Sequence, residues 1–174
     1  AQGPSYSCAK VEAGSVEEMI CKDEALSAFD RTLADVYANA LKKSSDEQML
    51  KAEQRGWLKG RNECWKSDDQ TACVREHYQR RIAELQATYR LVPETGPFTF
   101  ACSGGPVREF TVSFFQTDPP TLIAERGTSV SLMFQKPSAS GTRYQGQNET
   151  FWEHQGEATV TWGFEAPEMK CSRQ

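Results

Sequence analysis

The feature that most constrains this chain is a change of hydrophobic period across Val92-Pro93-Glu94-Thr95-Gly96-Pro97. Upstream, apolar residues recur at steps of three and four; downstream, they alternate with polar ones. Two prolines and a glycine within this short segment end a helix and begin an extended chain, because proline has no amide donor for a helical turn. The spacing therefore predicts two domains, a helical one over residues 1–92 and a β-rich one over residues 93–174, giving an α+β chain. Glycine follows the same division, with four of the 12 before residue 93 and eight after it.

In the first half, Ser15-Val16-Glu17-Glu18 has the Ser-x-x-Glu form of a capping box and opens a short helix toward Cys21. From Glu24 to about Lys43, Leu26, Phe29, Leu33, Val36, Tyr37, Ala40 and Leu41 form one apolar stripe. Ser45-Asp46-Glu47-Gln48 offers a second capping box, followed by Met49, Leu50, Ala52, Trp57 and Leu58 in a helix reaching about Cys64. After Ser67-Asp68-Asp69-Gln70, the positions Val74, Tyr78, Ile82, Leu85 and Tyr89 mark a further helix. Three long helices with short connections predict an up-down-up bundle whose core is small enough to need covalent staples.

Cysteines at 8, 21, 64, 73, 102 and 171 put an even number in each half. No Cys-x-x-Cys pair is present, and His77 and His154 are the only histidines, so the spacing predicts disulfides with no metal and no cofactor. Cys8, Cys21, Cys64 and Cys73 fall at one end of such a bundle, and all three pairings of the four satisfy that geometry. Cys102 and Cys171 bracket the second half, where a bond between them ties the ends of a sheet together. Disulfides imply a periplasmic or secreted compartment. Lys and Arg number 14 against 15 Asp and Glu in residues 1–92, and 6 against 9 in residues 93–174, a balance that argues against nucleic acid as a partner. No apolar run approaches the ~20 residues of a membrane span, and Ser5-Tyr6-Ser7 matches a lipoprotein cleavage site poorly, so no lipid anchor is expected at Cys8.

In the second half, Phe110, Val112 and Phe114 alternate with Glu109, Thr111 and Ser113. Further short runs begin at Thr99, Leu122, Val130, Phe151 and Ala158, separated by Gly104-Gly105, Asp118-Pro119-Pro120, Gly127, Gly141, Gly146 and Gly156. Strands with turns about every 8–12 residues predict an antiparallel sandwich or barrel, and closure leaves no unpaired edge. The small residues Ser138-Ala139-Ser140-Gly141, between Pro137 and the Arg143-Tyr144 pair, suit a protruding turn that enters a narrow cleft. Ser140 and His154 form a Ser/His pair in principle. The sequence holds no nucleophile elbow, phosphate-binding glycine loop or clustered metal ligands, so no enzyme is expected.

The segment Gln54-Arg55-Gly56-Trp57-Leu58-Lys59-Gly60-Arg61-Asn62-Glu63-Cys64, with Cys8-Ala9-Lys10, Ile20-Cys21, Leu26, Asp30, Tyr37 and Tyr78-x-x-Arg81-Ile82-x-x-Leu85, resembles the LprI-type helical module of bacterial envelope proteins. The likeness covers most of residues 6–89 and implies an association with lysozyme inhibition, while leaving room for a second partner of the helical half. From the residues themselves, Trp57, Arg61 and the tyrosines are expected to brace the helices.

Cys102 with Gly104-Gly105, then Ser138-Ala139-Ser140-Gly141-Thr142-Arg143-Tyr144, then Phe151-Trp152-Glu153-His154-Gln155-Gly156-Glu157-Ala158 and a last Cys171, resembles the MliC/PliC family of C-type lysozyme inhibitors over residues 97–172. The resemblance implies a small antiparallel eight-stranded β-barrel after the disulfide-stabilised helical bundle. It also implies a C-type lysozyme as partner, with the serine loop inserted in its active-site cleft. Ser138, Ser140, Gly141, Thr142, Arg143, Tyr144, Glu153 and His154 are then the expected lysozyme-binding residues, with Tyr144 packing to hold the loop. His154 stands where the family motif Trp-x-Lys-Gly-Asp-Glu-Ala has its lysine. An imidazole is shorter and largely neutral above its reference value of about 6.5, so a contact through His154 is expected to strengthen on mild acidification. The other reading is a non-catalytic envelope scaffold whose barrel no longer inhibits lysozyme.

Overall fold

The computed structural model describes residues 2–103 and 109–174, so the Gly104-Gly105 pair lies outside the described residues. The chain splits into two compact units, Ala1–Leu91 and Val92–Gln174.

The first unit has a 3-10 turn at Cys8–Lys10 and helices α1 (Val16–Lys22), α2 (Glu24–Lys43) and α3 (Glu47–Asn62). A second 3-10 turn (Glu63–Lys66) and α4 (Gln70–Thr88) follow. Each helix begins where a side-chain oxygen takes an otherwise orphaned amide. Ser15 accepts from Glu18 N at 3.1 Å, and Asp23, Asp46 and Asp69 accept from Leu26, Met49 and Ala72, each at 3.0 Å. The box at Ser15 is offset, since the Glu18 carboxylate receives Gly14 N at 3.0 Å. The expected box at Ser45 is replaced by Asp46, whose carboxylate suits the positive end of a helix.

The core of this unit joins Ile20 of α1, Leu26, Leu33 and Ala40 of α2, Leu50 of α3, and Val74, Tyr78 and Leu85 of α4. Among α3 residues only Leu50 and Arg61 are buried, while Met49 and Leu58, two of the apolar residues that mark this helix in the sequence, are exposed. Arg61 is 3% exposed and sits at the centre of a polar network. Its Nη1 donates to Tyr78 Oη at 2.9 Å and its Nη2 to Glu17 Oε1 at 2.9 Å. Tyr78 in turn donates to Asp30 Oδ1 at 2.8 Å, and Asp30 Oδ2 receives Ser5 N at 2.7 Å. Trp57 meets Tyr78 edge-on at 5.0 Å and donates its indole N–H to the His77 carbonyl at 3.1 Å. These contacts make Trp57, Arg61 and Tyr78 the helix braces expected from the sequence.

Of the three pairings left open, the structure selects the local one, Cys8–Cys21 and Cys64–Cys73. Each bond pins one short connection, with Cα atoms 6.0 and 5.7 Å apart. No described helix is long and apolar enough to cross a membrane.

The second unit is a closed barrel of eight antiparallel strands in sequence order: β1 (Glu94–Cys102), β2 (Glu109–Phe115), β3 (Thr121–Arg126), β4 (Ser129–Lys136), β5 (Thr142–Gln145), β6 (Glu149–His154), β7 (Glu157–Trp162) and β8 (Met169–Arg173). Alternation places Phe100, Phe110, Val112, Leu122, Met133, Tyr144, Phe151 and Val160 inside. The seam is the β1–β8 ladder, where Cys102 lies opposite Cys171 and is bonded to it. β1 shifts register between Thr95 and Phe98 at Gly96, whose φ of +119° and 2.9 Å approach of a hypothetical Cβ to Val112 O leave room only for glycine.

Two measurements test this framework. Replacing Cys102 and Cys171 together by Ala, which opens a bond spanning 69 positions, is expected to cost ~4 kcal/mol in chemical denaturation on the chain-entropy estimate. In the helical unit, burial pushes the Tyr6 phenol up to about 12, with Arg61 opposing and Asp30 and Glu17 adding. Burial raises Tyr78 in the same direction. A raised folded value means that this contribution is complete below the unfolded value of about 10 and is lost as pH climbs through the folded one. Urea midpoints are therefore expected to fall from about pH 10 upward, with a shallower fall for Tyr6→Phe.

Candidate functional site

The β4–β5 connection is short because Lys136 and Arg143 are directly paired across it. Gly141 turns the chain at φ +67°, and a Cβ there would fall 2.7 and 2.8 Å from His154 Cδ2 and Nε2 and against the Glu153 carbonyl oxygen. Both backbone angle and space demand glycine. The turn is thereby laid on the end of β6.

Three hydrogen bonds then fix Ser140. Its carbonyl accepts from Ser138 Oγ at 2.5 Å and from Trp152 Nε1 at 2.9 Å, while its own hydroxyl lies 3.3 Å from His154 Nε2. The Trp152 and His154 rings lie 5.1 Å apart. Ser138, Ser140, Gly141 and His154 remain exposed, so the loop is both held and presented.

Beside it is a groove of about 750 Å³, lined by Phe114, Tyr144, Glu153 and His154 as well as Ser140 and Gly141. It occupies the end of the barrel where β1 begins and where the β2–β3, β4–β5 and β6–β7 connections gather. Tyr144 is 7% exposed with its ring 5.8 Å from Phe114. Burial raises its phenol above the ordinary value, and the neighbouring Glu153 carboxylate adds to the rise. Tyr144 is thus a floor under the loop, in line with the packing role expected of it. Thr142, Arg143 and Glu153 are half-buried. Arg143 lies opposite Trp152 on the outer face, whereas Glu153 pairs with Thr142 at the groove.

The structure thus brings the Ser140 loop and His154 together, with His154 Nε2 within hydrogen-bond reach of the loop serine. Trp152, absent from the expected contact set, is the second anchor. Its sequence signal was only its place two residues before His154; the bond reaches back 12 positions to Ser140.

The Ser140–His154 contact has the elements of a nucleophile and base. Among the described residues, however, no carboxylate hydrogen-bonds the other ring nitrogen, the arrangement that orients a catalytic imidazole. Cys64, Cys73 and His77 gather ligand-type atoms within 4.8 Å, but both sulfurs belong to the disulfide and supply no thiolate.

The chain thus carries a stapled helical module and a closed barrel that presents a held serine loop beside a shallow groove. Residues 100–169 match the family described as membrane-bound lysozyme-inhibitor of c-type lysozyme, and residues 8–85 match the family described as lysozyme inhibitor LprI. Lipoprotein LprI of Mycobacterium bovis and of Mycobacterium tuberculosis is 32% identical to this chain over 161 residues, covering 91% of it and 79% of each relative. The chain belongs to the LprI family.

Trp152→Phe retains an aromatic ring and removes the indole donor. It is expected to cost no more than about 1.5 kcal/mol in overall stability, while increasing amide hydrogen exchange and protease cleavage within residues 138–141. Unchanged protection of that loop would show that the Trp152 bond does not hold it.

Proposed function

We propose that this protein is a non-catalytic inhibitor of C-type lysozyme, acting in the bacterial envelope or outside the cell, and that residues 138–144 enter the lysozyme active-site cleft. The observation that carries this reading is the exposed Ser140, anchored at its carbonyl by Trp152 and at its hydroxyl by His154. The two matched families and the LprI relatives support the same partner class.

Lysozyme, a retaining glycosidase, cleaves its substrate with a protonated carboxyl on one side of the sugar bond and an ionised carboxylate nearby. A serine hydroxyl placed between them donates to the ionised group and accepts from the protonated one. His154 decides which of these is available. When Nε2 carries a proton, the imidazole donates to Ser140 Oγ and leaves the serine hydrogen free for a carboxylate; when Nε2 is bare, the serine hydrogen is drawn back to the ring. A loop already fixed by three hydrogen bonds and by Gly141 loses little conformational freedom on insertion, which favours tight binding.

Titrating a C-type lysozyme with the native chain is expected to abolish cell-wall lysis at a defined stoichiometry. Ser140→Ala is expected to raise the inhibition constant about tenfold, the value of one to two kcal/mol of polar contact, and Gly141→Val to prevent inhibition by displacing the loop. If the native chain forms no complex at micromolar concentration, the inhibitor reading is wrong and an envelope scaffold is the better description.

A further inference from the structure

Directly opposed residues on antiparallel strands share a face of the sheet. The register therefore lines up Lys136, Arg143, Trp152, Thr159 and Lys170 across β4 to β8. Their chain neighbours Tyr144, Phe151 and Val160 fill the barrel, so this row faces outward. With neighbouring strands about 4.8 Å apart, it covers roughly 20 Å of barrel surface.

Three of the six cations in residues 93–174 stand in this one row, although acids outnumber bases there by 9 to 6. Among the described residues, Lys136, Arg143 and Lys170 take part in no ion pair. Lys170 reaches only Thr159 Oγ1, at 3.3 Å, which draws its ammonium back along the row toward Trp152. The described cations elsewhere on the barrel are placed over rings, Arg126 at 5.7 Å from Phe110 and Arg173 at 3.7 Å from Phe98. Glu157, opposite His154, sets a carboxylate beside the row, and Glu168 precedes Lys170 by two residues.

The row is continuous with the loop. Trp152, at its centre and 36% exposed, holds the Ser140 carbonyl. A second depression of about 560 Å³, lined by Trp152, His154, Glu157, Thr159 and Lys170, adjoins the groove described above through His154. A stable inhibitory complex buries about 1,200–2,000 Å² in total, more than a loop tip supplies.

We propose that this outer row is a second docking surface of the same inhibitory interface, in which Arg143 and Lys170 meet carboxylates on the wall of the lysozyme cleft and Trp152 packs between them. The proposal rests on the lysozyme reading. Its basis is charge complementarity, with unpaired cations on an otherwise acidic barrel set beside a loop directed at a carboxylate-bearing cleft. Contacts of this kind govern encounter and register, so their loss is salt-dependent.

The test is calorimetric titration of a C-type lysozyme with the native, Lys170→Glu, Lys170→Arg and Arg143→Gln chains, at about 50 and about 300 mM salt. Thermal unfolding of each chain verifies the fold. Lys170→Glu is expected to weaken binding at least about tenfold at low salt and much less at high salt, Arg143→Gln to weaken it about threefold, and Lys170→Arg to stay within about twofold of native. Native-like binding by Lys170→Glu overturns the docking row and leaves the Ser140 loop standing. Equal weakening by Lys170→Arg overturns charge as the cause. A native chain that does not bind overturns the lysozyme reading and the row with it.

Discussion

Closure of the barrel at the β1–β8 ladder is the constraint on which the candidate site depends. An open eight-stranded sheet of this size would expose two edges and leave its inner aromatic residues partly wet. Joining β1 to β8, with Cys102 opposite Cys171, converts alternation along each strand into a filled interior. Phe100 on β1 then meets Phe151 on β6 edge-on at 5.3 Å, and Phe151 is the inward neighbour of Trp152. The packed interior fixes the face on which Trp152 emerges, and so the position of the donor that holds Ser140.

The helical unit solves the same small-core problem with different chemistry. Its apolar interior is supplemented by two local disulfides and by the Glu17–Arg61–Tyr78–Asp30 network. A buried guanidinium is costly where its donors are unmatched, and Arg61 directs its donors to α1, to Tyr78 of α4 and to adjacent Asn62. Such a network stabilises one helix arrangement over others because any displacement strands a charge. It also explains how α3 stays in place with Leu50 and Arg61 as its only buried residues.

The loop itself shows how a weakly patterned segment becomes a site. Ser138, Ala139 and Ser140 have no strong conformational preference, and beyond the internal Ser138–Ser140 bond their order comes from groups on β6. Gly141 lets the turn descend onto β6, and Trp152 and His154, two residues apart on that strand's outer face, each hold a different atom of Ser140. Tyr144 anchors the other side of the turn from within the barrel. Neither anchor on β6 acts without the β5–β6 register, which sets Arg143 against Trp152 and Thr142 against Glu153.

Much of this was legible in the chain. The period change at 92–97, the stripe from Leu26 to Leu41 and the alternation at 109–114 marked the helices and strands, because side-chain period is a local property of backbone geometry. The two parts of the site were visible as short motifs, a small-residue turn at 138–141 and an aromatic segment at 151–154. What local pattern does not encode is pairing across distance. Four equivalent cysteines left three connectivities open until the folded chain brought Cys8 to Cys21 and Cys64 to Cys73. The cap moved from Ser45 to Asp46 because two adjacent acceptors compete and only backbone geometry decides between them. By itself the sequence determined which segments are helical, which are extended and which residues are small enough to turn. Tertiary structure alone decided that His154 grips Ser140, that Trp152 shares the task, and that Lys136, Arg143 and Lys170 form one row, since those relations depend on strand register and barrel closure rather than on any neighbour in the chain.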